Sequence, residues 1–221
     1  DIGEFGLQLV NRVHFRSQAL FRLDMAEISA MLHEFRKKPL SGARHGRARM
    51  DLVVREIFGE DTGDATAKAF AAAWNAIAAR KIDQFNEAGG NVAMRQDWHL
   101  PQVHDAMSIA RAGRDEWKNY IRQRLDQAQM VNPHTGMAFT GTEFEDFLDA
   151  AFVSIKYGAN MEEPTMAGQY GTATWRSQSD PRFFVFKDAQ SWIEYSNRFG
   201  AGSNPFEVMV GYLRSINHDI S

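Results

Sequence analysis

The stretch DWHLPQVHD, residues 97–105, places Asp97, His99, His104 and Asp105 close together, with Trp98 and Pro101 between them. Imidazoles and carboxylates this near to one another can form a general acid/base pair or two corners of a metal site. The metal arrangement fails on spacing. His99 and His104 are five apart with a proline between them, so they do not share a helical face as the i, i+4 histidines of HExxH sites do. The acid/base arrangement passes this test: His104 with Asp105, or Asp97 with His99, beside His134 of the distant NPHTG turn. The catalytic candidates are therefore His99, His104, Asp105 and His134, and there is no metal-ligand set. A plainer use competes with this one. Pro101 fits the first turn of a helix through VHDAMSIARAG, with His99 or Leu100 near its cap and Trp98 and Leu100 as an apolar staple. Asp105 then suits the positive end of the helix dipole. A histidine without a defined partner is more often a hydrogen-bonded structural residue, and the plainer use is preferred.

Other catalytic templates are missing from the chain. It contains no GxSxG, GxxxxGK[ST] or GxGxxG, and its lack of cysteine removes thiolate nucleophiles, disulfides and zinc ribbons together. Absence of cysteine also fits a reducing compartment. Glu162 with Glu163, or Glu143 with Glu145 and Asp146, could supply the paired carboxylates of glycoside chemistry, but acidic residues at a helix start are expected for capping alone. No motif calls for a cofactor. Charge is unevenly spread: residues 36–55 carry Arg36, Lys37, Lys38, Arg44, Arg47, Arg49 and Arg55 against Asp51, while residues 141–163 hold six carboxylates against Lys156. The basic run makes Arg44, Arg47 and Arg49 the nucleic-acid-binding candidates. The chain as a whole has a net charge of −3, so a solvated loop paired with the acidic segment is the favoured reading.

The elements that must position these groups are helices. Apolar residues Val13, Leu20, Leu23, Ile28, Met31, Leu32 and Phe35 give a helix over 9–38, stopped by Pro39. PLSGARHGRAR reads as turn chemistry, and a second helix spans 48–58. Thr62 or Asp64 caps a long alanine-rich helix over 65–88, with Phe70, Trp74, Ile77, Ile82 and Phe85 on its apolar side and Gly89-Gly90 at its end. A short helix ends at Gly113, and another runs from about Asp115 with Trp117, Ile121, Leu125 and Met130 buried. After a turn-rich loop, Thr142 and Glu145 suggest a capping box for EFEDFLDAAFVSIKYG. RFFVF, residues 182–186, has the aromatic density of a strand, and QYGTATW could fold back on it as a hairpin partner. Asp188 and Asn204 cap the last two helices, the latter with Pro205 in its first turn. The expected fold is mainly α: about seven helices with a small β element near residues 166–186. It forms one domain over 9–221, or two lobes, 9–131 and 141–221.

With 221 residues, 44% of them hydrophobic and 24% charged, the chain has the composition of a globular protein, without a membrane span or a secretory signal. DIGEFGLQ matches no periodic template and has the look of cloning-site residue. Asp1 at the start and an apolar helical pattern running to Ser221 suggest a piece of a longer protein.

The landmarks FNEAGGNVAMRQDWHLPQVHD, Gly113 and Trp117 in G-x-x-x-W, NPHTG, and RFFVFKDAQSWIEYSNRFGAGSNPFEVMVGYLRSINHDI span roughly residues 80–221. Together they resemble the large multidomain internal virion proteins of tailed phages and prophages, the DNA-ejection type. That resemblance implies a structural module whose partners are other virion proteins, a second copy of itself, or DNA, and whose location is the virion or the host cytoplasm. It implies no catalytic residues at these positions and points away from an enzyme. The alternative is a hydrolase acting on a phage or host polymer through His99, His104 or His134 with a carboxylate.

Overall fold

A computed structural model describes residues 2–36, 43–89, 99–132, 135–157, 184–202 and 204–221. Among these residues the protein is mainly α, with eight helices: α1 (Ile2–Arg36), α2 (Ala43–Ile57), α3 (Ala65–Glu87), α4 (Ala106–Ala112), α5 (Arg114–Arg122), α6 (Gly141–Tyr157), α7 (Ala189–Phe199) and α8 (Pro205–Asp219). The backbone divides into two compact units, Asp1–Leu100 with Asn204–Ser221, and Pro101–Ser203. Residues 131–141, where the sequence suggests a joint, belong to the second unit.

In the first unit α1 packs on α3 and α8, and α2 packs on the same two helices. α1 keeps the expected periodicity but buries a narrower stripe than the sequence suggests: Asp24 and Ile28 are buried while Leu23 is 69% exposed. α2 starts earlier than expected. Ala43–Arg47, expected as turn, is helical because alanine and arginine are good helix formers and the single Gly46 costs only about 1 kcal/mol. α3 is capped by Asp64, whose carboxylate accepts from the N–H groups of Thr66 and Ala67 at 2.9 and 3.0 Å. Thr62 turns instead to Glu56, donating its hydroxyl and its N–H. Phe70, Trp74 and Ile77 of α3 join Val53, Val54, Met209 and Leu213 in the core of this unit.

In the second unit α4 packs on α5, α6 and α7, and α5 packs on α6. α5 is shorter than the apolar pattern predicts. The chain leaves the helix after Arg122, and Leu125 forms an isolated antiparallel bridge with Phe186. Asp126 N–H donates to the Val185 carbonyl at 2.7 Å, and Lys187 N–H to that of Arg124 at 2.9 Å. Leu125 and Met130 are buried as expected, but on turns rather than on a helix. The same bridge corrects the expected β element. Among the described residues there is no strand, and what Phe186 meets is Leu125; residues 166–183, including the suggested hairpin partner, lie outside the described residues.

The start of α6 is set two residues before the expected position. Thr140 Oγ1 accepts from Glu143 N–H at 3.3 Å and the Glu143 carboxylate accepts from Thr140 N–H at 2.8 Å, a capping box on TGTE rather than on Thr142 and Glu145. The hydrogen bond from the Thr140 backbone, followed by that from its hydroxyl, holds Glu143 below the usual carboxylate range. α7 and α8 begin at Asp188 and Asn204 as the sequence indicates, with Pro205 in the first turn of α8.

Candidate functional site

Pro101 does not start a helix. Residues 101–105 are extended, and His104 forms an isolated antiparallel bridge with Gly200 at the end of α7. Asp105 N–H donates to the Phe199 carbonyl at 2.7 Å, and Ala201 N–H to that of Val103 at 3.0 Å. The way the chain folds back over the last turn of α7 requires glycine at position 200. A Cβ there would lie 2.5 Å from the Ser196 carbonyl oxygen, so Gly200→Ala is expected to destabilise the second unit by about 1–3 kcal/mol in urea unfolding.

This pairing draws the His104 ring into an aromatic cluster. Phe184 meets the ring edge-on at 5.6 Å and the Tyr195 ring lies 5.8 Å away. His104 Nδ1 is 2.9 Å from the Tyr195 hydroxyl, which also accepts from Trp117 Nε1 at 3.2 Å. Indole N–H can only donate, and Nδ1 is the acceptor the Tyr195 proton can reach among the described residues. Tyr195 therefore donates to an Nδ1 lone pair, and the imidazole carries its proton on Nε2. Burial pushes the imidazole down to about 4 and pushes the Tyr195 phenol up. At neutral pH both groups are uncharged, and the nitrogen facing Tyr195 is already occupied. A general base near neutrality needs the reverse, a basic nitrogen open to a substrate proton.

Asp105 does not partner the imidazole. It is the N-cap of α4, accepting from the N–H groups of Met107 and Ser108 at 3.0 and 3.1 Å and from the Ser108 hydroxyl at 2.5 Å. The Ser108 hydroxyl, followed by the backbone donors, holds this carboxyl below its ordinary value. His99 belongs to the first unit, where its carbonyl accepts from Trp74 Nε1 at 3.2 Å and its ring lies tilted against Phe58, with centroids 4.3 Å apart. Asp97 and His134 lie outside the described residues. Among the described residues no three His, Asp or Glu side chains come together as metal ligands.

The acidic and basic runs have local partners. Glu145 accepts from Arg122 Nε and Nη2 at 2.8 and 2.7 Å, and Lys118 reaches Asp149 at 2.7 Å and Glu145 at 3.0 Å. The bidentate Arg122 contact keeps Glu145 below the usual carboxylate range, so this carboxylate links α5 to α6. Glu162 and Glu163 lie outside the described residues. α2 carries Arg44, Arg47 and Arg49. Arg47 is exposed, Arg49 is partly buried, and the Arg44 side chain is outside the described residues. Positions two apart on a helix point about 200° away from each other, so Arg47 and Arg49 do not line one face. Asp51, raised by burial, lies in the field of Arg47 and Arg55.

Two sets of buried polar contacts are not among the site candidates read from the sequence. One is the Tyr195–Trp117 pair described above. The other is in the first unit: Lys81 Nζ lies 2.9 Å from Asp24, donates to Asn217 Oδ1 at 2.9 Å and to Gln84 at 3.0 Å, while Asn217 Nδ2 donates to Asp24 at 2.7 Å. Asp24, Lys81 and Asn217 are all buried. A signal for them exists in the sequence, because each is in phase with its helix's apolar stripe: Asp24 with Leu20 and Ile28, Lys81 with Trp74 and Ile77, Asn217 with Leu213 and Ile220. Comparisons with protein-family models, curated proteins and solved structures found no match to this chain.

Proposed function

We propose that the chain is a structural and interaction module of a tailed-phage virion protein, contacting other virion proteins, further copies of itself or DNA during assembly or genome ejection. The observation that carries this reading is that each described catalytic candidate is already engaged in holding the fold. The His99 ring lies against Phe58 while its backbone carbonyl receives the Trp74 indole, the His104 ring receives the Tyr195 hydroxyl, and Asp105 caps α4. The turn and aromatic landmarks between residues 80 and 221 supply the virion context. With His104 Nδ1 and the Asp105 carboxylate taken up inside the fold, recognition is the activity these residues favour over hydrolysis. Light scattering and gel shifts at low salt test the reading. Self-association, or DNA affinity that falls steeply with salt, supports it. A monomer without DNA affinity contradicts it, as does a polymer-cleaving activity that His104→Ala abolishes without changing the melting temperature.

A further inference from the structure

The solvent side of the first helix bears a pattern that the core does not explain. Asp24 and Ile28 mark the buried face of α1, with Val13, Ser17, Leu20 and Met31 partly covered on the same side and Val10, nearer the start of the helix, 65% exposed. On the opposite side Phe15, Ala19 and Leu23 follow one another at i, i+4 and i+8, with Phe15 68% and Leu23 69% exposed. Residues at this spacing form a continuous ridge covering an arc of about 80°. Arg12, Arg16 and Arg22 flank it, all exposed, and no Asp or Glu occurs between Glu4 and Asp24 in a chain whose net charge is −3.

Single exposed apolar side chains are ordinary, but apolar groups aligned at i, i+4 and i+8 with cations beside them form an ordered surface that a complementary partner can cover. We infer that the outward face of α1 around Phe15, Ala19 and Leu23 is a docking ridge for an acidic amphipathic helix of a partner protein. Charge complementarity sets the partner's sign: carboxylates flanking an apolar groove pair with Arg12, Arg16 and Arg22. The dimensions favour a helix. An i, i+4, i+8 ridge about 12 Å long fits between the side-chain rows of one helix. A bilayer interface rewards a broad apolar face rather than a single row. Nucleic-acid phosphates would use the arginines but leave Phe15 and Leu23 without an apolar partner. The inference rests on the interaction-module reading and names its surface.

The test uses the whole chain and three probes: a synthetic helix with leucines on one face flanked by glutamates, vesicles containing anionic lipid, and duplex DNA. Fluorescence anisotropy is expected to show saturable binding of the acidic peptide. Phe15→Ser with Leu23→Ser is expected to weaken it about tenfold or more, as is Arg12→Glu with Arg16→Glu, a loss of about 1.4 kcal/mol for each tenfold. These four positions are exposed, and circular dichroism checks that each variant keeps its helix content. Binding that survives both pairs of substitutions overturns the proposal. So does binding to vesicles or DNA without binding to the peptide. If the peptide does not bind while light scattering still detects self-association in the Phe15→Ser, Leu23→Ser variant, the ridge is overturned and the interaction module stands. If no probe binds and the chain is monomeric, both fall.

Discussion

Lys81→Met is expected to destabilise the first unit by about 3–5 kcal/mol. The ammonium is buried and is held by Asp24, Asn217 and Gln84, so its removal leaves the Asp24 carboxylate in the interior with Asn217 Nδ2 at 2.7 Å and Arg80 at 3.5 Å. A buried charge that loses its partner keeps its full desolvation penalty, whereas an apolar replacement of the whole cluster removes penalty and attraction together. Asp24→Leu combined with Lys81→Met and Asn217→Leu is therefore expected to recover most of the loss. Hydrogen exchange in α3 under increasing urea measures both effects. The three residues come from α1, α3 and α8, so the cluster also fixes the register of those helices, and the apolar triple variant is expected to keep its stability with broadened exchange along α1.

Lowering the pH from 6.5 to about 4 is expected to remove roughly 3 kcal/mol from the second unit through His104 alone, at about 1.4 kcal/mol per unit. The sign follows from proton uptake. The unfolded histidine binds its proton near 6.5 and the folded one only near 4, because burial against Phe184 and Tyr195 disfavours the imidazolium. In that window the unfolded chain holds more protons, and stability falls as pH falls. Below the folded value both states are protonated and His104 adds no further loss. Asp105, Glu143, Glu145 and Glu194 are held below their ordinary values by hydrogen bonds, so their contributions disappear at still lower pH. His104→Gln, whose amide oxygen can accept from Tyr195, is expected to flatten the slope above the carboxylate range. Urea unfolding at a series of pH values separates the two phases.

Local chemistry is the legible part of this fold. Asp64, Asp188 and Asn204 can be read as caps because a short oxygen-bearing side chain before an apolar period has one common use. The capping box of α6 is legible in kind but displaced by two residues, since TGTE and the following TEFE offer the same chemistry and packing selects between them. What the sequence conceals is pairing at a distance. Nothing near Pro101 indicates that residues 103–105 run beside 199–201, and nothing near Leu125 indicates Phe186. The local pattern therefore suggests a helix start where the chain is extended, and a longer α5 than the one that forms. The candidate site follows the same rule. Spacing alone excludes the helical metal site, but Tyr195 as the partner of His104 is 91 positions away and lies beyond any local pattern.

His104 Nδ1 meets the Tyr195 hydroxyl inside an aromatic cluster, and nuclear magnetic resonance titration of His104 tests this structural role most directly. A neutral ring with its proton on Nε2, titrating near 4 together with the loss of native Tyr195 and Trp117 signals, is the expected result. A His104 that titrates at or above its ordinary value while the unit remains folded would show a basic, accessible nitrogen and contradict it.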